Sequence, residues 1–382
     1  MNKLLLKNAL VYQDRAFCPA EVLCVQGKIA AVGAGLAAAG ARTVNCRGKR
    51  LVPGFIDVHT HGAAGVDVNA ADEAGLAKIA AFFASQGTTA WNASILSDTE
   101  ETTLRCLRHI AALQKRRGYG AQLLGAHLEG PFLAAQYKGA MPETLLRAGD
   151  SALLRRYREA YPGVVRYLTV SPEAEGAPEL ISQVQEDVVV AIGHSGVDYA
   201  AAMDAIRRGA RCATHTFNAM RLFHQHEPAV MGAVLESDVW CEAICDGRHL
   251  HPGAVRLLLK VKGWERVIAV TDSIMAAGLS DGLYKLGVND VVVADGDAKL
   301  ADTGVRAGST LTMIQALRNL IQFTGRPLEE VLPLTTENPA AAMRLSGRKG
   351  KISPRFDADL TLLDDQLNVS MTIAGGDVVY TA

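Results

Sequence analysis

The sequence predicts an α/β protein, a (β/α)8 TIM-type barrel with a small β-sandwich domain built from both chain termini. Three observations lead there. Eight short apolar runs recur along the middle of the chain, as parallel strands buried on both faces should. Most of them are followed by a helical pattern. Residue types that bind metals stand directly after these runs, in VPGFIDVHTHG, LLGAHLEGPF, VVVAIGHS, CATHTFNAM and VIAVTDS.

The elements follow in chain order. Residues 1–52 alternate apolar runs with Gly or polar turns (LLLKNALVY, AEVLCVQGKIAAVG, RTVNCRGKRLVP), and Gln26-Gly27 suits a hairpin turn because Gly accepts positive φ cheaply. The C-terminal stretches GKISPRFDADLTLLD and SMTIAGGDVVYTA read the same way. Residues 1–52 and 348–382 are therefore expected to pair into the small β domain, with 53–347 inserted as the barrel. Strands are expected at 51–58, 88–93, 122–128, 165–170, 188–192, 211–216, 240–245 and 266–271. Between the first two, Leu76, Ile79, Ala80 and Phe83 fall at i, i+3, i+4 and i+7, one face of a helix over 71–86.

Composition narrows the function. Of 382 residues, 39 are basic and 40 acidic, a net charge of −1, which gives no field for nucleic acid or an anionic membrane surface. No apolar run approaches the ~18 residues needed to span a membrane. The N-terminal apolar run is too short for a signal-peptide core and reads as a strand. Seven cysteines, odd in number and without CxxC, fit a reduced, cytoplasmic compartment.

Barrel active sites lie at the C-terminal ends of the strands, and that is where the metal-type residues stand. In His59-Thr60-His61, residues i and i+2 at a strand end point to one side and can share an ion. Glu129 faces the same mouth and can bridge two ions, and His194 and His215 supply further imidazoles. Each alone is more often a satisfied structural residue; the set of five, spread over strands one, three, five and six, is not. Histidine plus carboxylate suits a divalent metal, with zinc the first choice and iron, cobalt or manganese as alternatives, one or two ions per chain. Such an ion lowers the pKa of water toward ~7. Asp272, after strand eight, is the candidate general base and acid, although Asp is also a favoured helix N-cap. His249 is a candidate substrate contact.

These segments, together with CDGRHLHP, AGSTLTM and GKISPRFDADL, resemble the amidohydrolase superfamily, and within it the N-acetylglucosamine-6-phosphate deacetylases, nearly end to end. The resemblance implies hydrolysis of an N-acetyl amino sugar phosphate to the free amine and acetate. Glu129, His194 and His215 match the main metal site, His59 and His61 a second site found in some members, and Asp272 the acid/base. Asn218 and Ala219 match a segment holding the sugar phosphate, and His249 a histidine near it. The family is typically a homodimer in which the neighbour supplies one phosphate contact. Two positions depart from the pattern. Met141 stands where many members have a histidine reaching the acetyl carbonyl, and a thioether cannot donate a hydrogen bond. His226 stands where members have an arginine for the neighbour's phosphate. The alternatives are an amidohydrolase acting on N-acetylgalactosamine 6-phosphate, an unphosphorylated N-acetyl sugar or another amide, and a non-catalytic sugar-phosphate binder.

Overall fold

The structure, a computed structural model, describes residues 3–382. Eight strands run parallel and neighbour one another in sequence order: Phe55–Asp57, Thr88–Leu96, Gln122–Glu129, Val165–Val170, Val189–Ile192, Ala210–Ala213, Trp240–Ile244 and Val267–Val270. The first and last are not joined by a ladder. They meet through Thr271, whose hydroxyl donates to Asp57 Oδ2 at 2.6 Å, and through the Asp272 N–H, which donates to the His59 carbonyl at 2.9 Å. The barrel is thereby nearly closed. Ile56, Tyr167, Ala191, Ile244 and Ile268 come from strands on different sides of the ring and form one buried cluster, so side chains fill the interior.

The expected strand 51–58 is two strands. Arg50–Pro53 joins the terminal sheet and Phe55–Asp57 joins the barrel. The crossing falls at Gly54, where a Cβ would stand 2.1 Å from Thr89 Cγ2, so only glycine lets the chain pass between the two sheets. Strands six and eight stop earlier than expected, at Ala213 and Val270, because His215 (φ 29°) and Asp272 (φ 48°) turn out of the extended conformation.

Helices pack outside the ring. In Glu73–Ser85, Leu76, Ile79, Ala80 and Phe83 are buried as the periodicity predicts, and Asp72 caps the helix by accepting from the Gly75 N–H. Thr99, Asp150 and Asp198 cap Glu100–Gln114, Ser151–Ala160 and Tyr199–Arg207 in the same way. The helix after strand eight, Met313–Thr324, is delayed by an antiparallel three-stranded sheet, Gly282–Leu286, Asn289–Ala294 and Asp297–Leu300, which the sequence reading did not anticipate.

The chain ends form a separate, largely antiparallel sheet in the order Asp377–Thr381, Val369–Ala374, Leu360–Leu363, Arg50–Pro53, Lys3–Gln13, Ala16–Val25, Lys28–Gly33, with Arg42–Asn45 also pairing parallel to Lys3–Gln13. One apolar cluster draws Leu6, Val22 and Leu51 from the N-terminal half and Leu360 and Ile373 from the C-terminal half. All seven cysteines are free, and six are buried. Among the described residues no helix is long and apolar enough to cross a membrane.

Candidate metal centre

The site is built by a repeated local device. His59, His194, His215 and Asp272 each lie two residues beyond the end of a barrel strand, and Glu129 is the last residue of its own strand. His194 (φ 50°), His215 and Asp272 are left-handed, a conformation that costs a non-glycine residue roughly 1–3 kcal/mol and that clusters at functional sites. The turn ends the strand and swings the side chain over the barrel mouth.

With His61 these make six side chains, all buried and gathered in one cluster. Glu129 is its centre. Its Oε1 lies 3.1 Å from His194 Nε2 and 3.1 Å from His215 Nε2, and its Oε2 lies 3.1 Å from His61 Nε2. His59 Nε2 is 3.1 Å from His61 Nε2, and His194 Nε2 is 3.0 Å from His215 Nε2. Two ligand trios result, His59/His61/Glu129 and Glu129/His194/His215, sharing one carboxylate. Asp272 Oδ1 stands beside the first trio, 3.2 Å from His61 Nε2 and 3.5 Å from His59 Nε2.

The opposite ring atoms decide what these contacts mean. His61 Nδ1 faces the Ser94 carbonyl at 3.2 Å and His194 Nδ1 the Tyr137 carbonyl at 2.8 Å. A carbonyl only accepts, so each Nδ1 carries the hydrogen and a neutral ring turns its Nε2 lone pair inward. Lone pairs then face one another and a carboxylate at about 3 Å. That donor set is satisfied by a cation lying between the rings, and it fits a divalent metal of the first transition row.

The carboxylates favour positive charge between these rings, whether a metal ion facing neutral imidazoles or protons on the imidazoles themselves. Burial pulls His59 and His61 down, but Asp272, Glu129 and, for His59, Glu242 reverse it, leaving His59 well above its ordinary value and His61 pushed up to about 9. Burial pushes Glu129 and Asp272 up, and the surrounding histidines outweigh it, holding both below the usual carboxylate range. Beneath His59 lies His127, which burial and the His59 charge hold well below its ordinary value; its two nitrogens meet Ser94 Oγ and Thr169 Oγ1, each at 2.8 Å.

The remaining candidates sit as follows. Asn218 and Ala219 directly follow the turn at His215, and Asn218 Nδ2 donates to the His215 carbonyl at 3.1 Å. His249 is oriented by Asp246, whose Oδ2 lies 2.7 Å from its Nδ1. His226 lies on an exposed loop with its ring 5.4 Å from that of His224, and nearby Arg221 is engaged by Glu227. Met141 is buried in an apolar cluster with Leu96, Leu133, Ile274, Val291 and Val293, so its thioether packs under the inserted sheet. The same loop passes the site at Gly139, where a Cβ would stand 3.2 Å from His194 Cε1.

Sequence reasoning missed Glu242 and Asp246. Glu242 is a fully buried carboxylate in the middle of strand seven, bonded to His59 Nδ1, Tyr167 OH and the His215 N–H. Its signal was present: one charged residue inside the otherwise apolar run WCEAIC.

The amidohydrolase family pattern matches residues 50–379. The chain is 35% identical over 335 residues to the N-acetylglucosamine-6-phosphate deacetylase of Bacillus subtilis (strain 168), covering 86% of this chain and 84% of that protein. The chain belongs to the N-acetylglucosamine-6-phosphate deacetylase family of amidohydrolases. Among solved structures, the Pasteurella multocida N-acetylglucosamine-6-phosphate deacetylase superposes with a TM-score of 0.92 at 28% identity over 100% of both chains. A point mutant of the Mycobacterium smegmatis enzyme, in complex with N-acetyl-D-glucosamine-6-phosphate, gives 0.90 at 35% identity, again over 100% of both. An N-acetylgalactosamine-6-phosphate deacetylase of Escherichia coli O157:H7 is also 35% identical, over 84% of this chain and 85% of that protein. As a member of this family the chain is a hydrolase acting on carbon–nitrogen bonds.

Proposed function

We propose that this deacetylase acts on N-acetylglucosamine 6-phosphate, releasing glucosamine 6-phosphate and acetate. The observation that carries the reading is the placement of Asp272 Oδ1 beside the first of two imidazole–carboxylate trios that share Glu129 at the mouth of a deacetylase-family barrel. His59, His61, Glu129, His194 and His215 would hold one or two divalent ions, zinc first. When bound, such an ion supplies Lewis acidity, polarising the amide carbonyl and lowering the pKa of water. Asp272 then takes a proton from the attacking water and returns it to the amine nitrogen as the C–N bond breaks. Asn218, Ala219 and His249 would hold the sugar phosphate. Met141 packs among apolar side chains and its thioether cannot donate a hydrogen bond, so polarisation of the carbonyl would depend on an ion held by these residues.

A second reading, N-acetylgalactosamine 6-phosphate, is favoured by the equal identity to the Escherichia coli relative and by the departures at Met141 and His226. Acetate release from the two epimers and from unphosphorylated N-acetylglucosamine, with metal measured in the same sample, tests both. A kcat/KM at least tenfold higher for the glucosamine epimer is expected; preference for the other epimer reverses the assignment, and equal rates without phosphate defeat both.

A homodimer is supported by exposed apolar residues, Leu222 and Phe223 just before His226 in the chain and Val261 lining one hollow with Phe223. Light scattering should give twice the 40.6 kDa chain mass. The free, mostly buried cysteines suit a cytoplasmic enzyme.

A further inference from the structure

We propose that Glu242 is a positioning residue for the metal centre, whose charge fixes the tautomer of His59 and builds the cation position at His59 and His61. The inference rests on the metal-centre reading above. Glu242 is the third residue of strand seven, Trp240–Ile244, and is fully buried. A carboxylate in that place costs several kcal/mol unless its oxygens are satisfied. Here they are satisfied by three donors from three different strands or strand ends. Tyr167 OH donates to Oε1 at 2.6 Å, and Oε2 accepts from the His59 ring at 2.9 Å and from the His215 N–H at 2.9 Å. No lysine or arginine is among these partners. Among the described residues, the only imidazole ring that the carboxylate addresses is His59.

The consequence is directional. A carboxylate accepts, so His59 Nδ1 carries the hydrogen and the Nε2 lone pair points to the space bounded by His61, Glu129 and Asp272, at 3.1, 3.5 and 3.5 Å. The other rings are treated differently. His61 and His194 lean on neutral backbone carbonyls, and His215 Nδ1 is buried with no partner among the described residues. An anionic partner makes an imidazole a better electron donor to a metal than a carbonyl does. His59 is thus the ligand raised in basicity, and the trio containing it gains most. Glu242 Oε2 also pins the backbone of left-handed His215, so one oxygen joins a ligand from each trio.

A merely structural carboxylate would predict otherwise, and Glu242→Gln separates the two. The amide is isosteric. Its oxygen can accept from His59 and His215, and its NH2 can donate to Tyr167, whose hydroxyl both gives and takes. Packing and hydrogen bonds persist while the charge is removed. The experiment is zinc titration in buffered free metal with content measured by mass spectrometry, and cobalt absorption as an independent readout. Wild type is expected to hold two ions per chain. Glu242→Gln should keep the wild-type apo melting temperature and the tighter ion, and weaken the other about 10–100-fold. His59→Ala should lose the same ion. Wild-type affinity for both ions in Glu242→Gln overturns the proposal. Wild type holding a single ion overturns it too, yet leaves a one-metal deacetylase standing. If Glu242→Gln fails to fold, Tyr167→Phe takes its place, since it strips one donor from the carboxylate and leaves its charge. It should keep both ions, and loss of the second ion there would show that hydrogen-bonded packing, rather than charge, sets the position.

Discussion

The backbone N–H of Asp272 donates to the carbonyl of His59 at 2.9 Å across the seam between the last and first barrel strands. The proposed proton-transfer group and the metal-type ligand are thereby held in one register, with Asp272 Oδ1 3.5 Å from His59 Nε2. Asp272→Asn keeps that backbone bond and the side-chain shape but removes the proton acceptor. Turnover should fall about 10²–10⁴-fold while metal content is retained. Steady-state kinetics beside metal analysis checks this, and activity within a few-fold of wild type would remove Asp272 from proton transfer.

Gly308 supports Asp272 from behind. It is left-handed (φ 61°), and a Cβ there would lie 2.4 Å from Ile274 Cγ2 and 2.9 Å from the Asp272 carbonyl. The next residue, Ser309, donates its N–H to that carbonyl at 2.8 Å. Gly308→Ala should cost roughly 1–3 kcal/mol from the backbone conformation alone and displace Asp272, lowering kcat more than it changes KM. Thermal unfolding and kinetics on one preparation test it; a variant equal to wild type in both would mean that the loop has more room than the geometry allows.

Ions that bind the folded centre and not the unfolded chain stabilise by mass action, about 4 kcal/mol at a free concentration one thousand times Kd. Chelation should lower the melting temperature and abolish acetate release together, and re-addition of zinc should restore both. A melting temperature indifferent to chelator would show that the pocket holds no ion tightly.

Much of the site was legible because it depends on short-range pattern. Apolar run followed by His or Asp marks both the strand and the turn that ends it, so the six central residues could be named together. What escaped depended on distant partners. Glu242 is meaningful only because His59, Tyr167 and His215 arrive around it from other strands. The inserted sheet was hidden because Asn289–Ala294 alternates buried Val291 and Val293 with exposed Val292, a period of two that local reading folded into the loop after strand eight. Met141 shows a difference of scale. Its place in a motif suggested a substrate contact, while its packing is set by residues as far away as Val293.

The inserted sheet is tied at its end by Arg306, whose Nε and Nη2 reach the two oxygens of Asp297 at 2.7 and 2.9 Å. That pairing, helped by Lys299, draws Asp297 down from 3.8 to about 2 against the opposing effect of burial. The folded value lies below the unfolded one, so the stabilisation is complete above about pH 4 and is lost as pH falls from 4 to 2. Allowing for solvent screening at this partly exposed pair, it is worth about 1 kcal/mol. Asp297→Asn should be less stable than wild type by that amount at pH 6, and the two should converge toward pH 2. A constant difference in denaturant unfolding across that range would assign the effect to packing.

Met141 tests whether the loop after strand three touches substrate. Its side chain is 2% exposed and surrounded by aliphatic groups. The loop is held in place by Asn289 Nδ2 donating to the Ala140 carbonyl at 2.8 Å and by Lys138 Nζ donating to the Met141 carbonyl at 3.1 Å. Met141→Ala should leave a cavity and cost about 2–5 kcal/mol. Met141→His places a polar ring among those aliphatics, where an unsatisfied group costs about 1–3 kcal/mol by comparison with other proteins, so it should destabilise without raising kcat. A histidine variant with higher kcat/KM and unchanged melting temperature would mean that the ring swings out of the cluster to the acetyl carbonyl, and that the position is a substrate contact in which methionine has weakened polarisation of the amide.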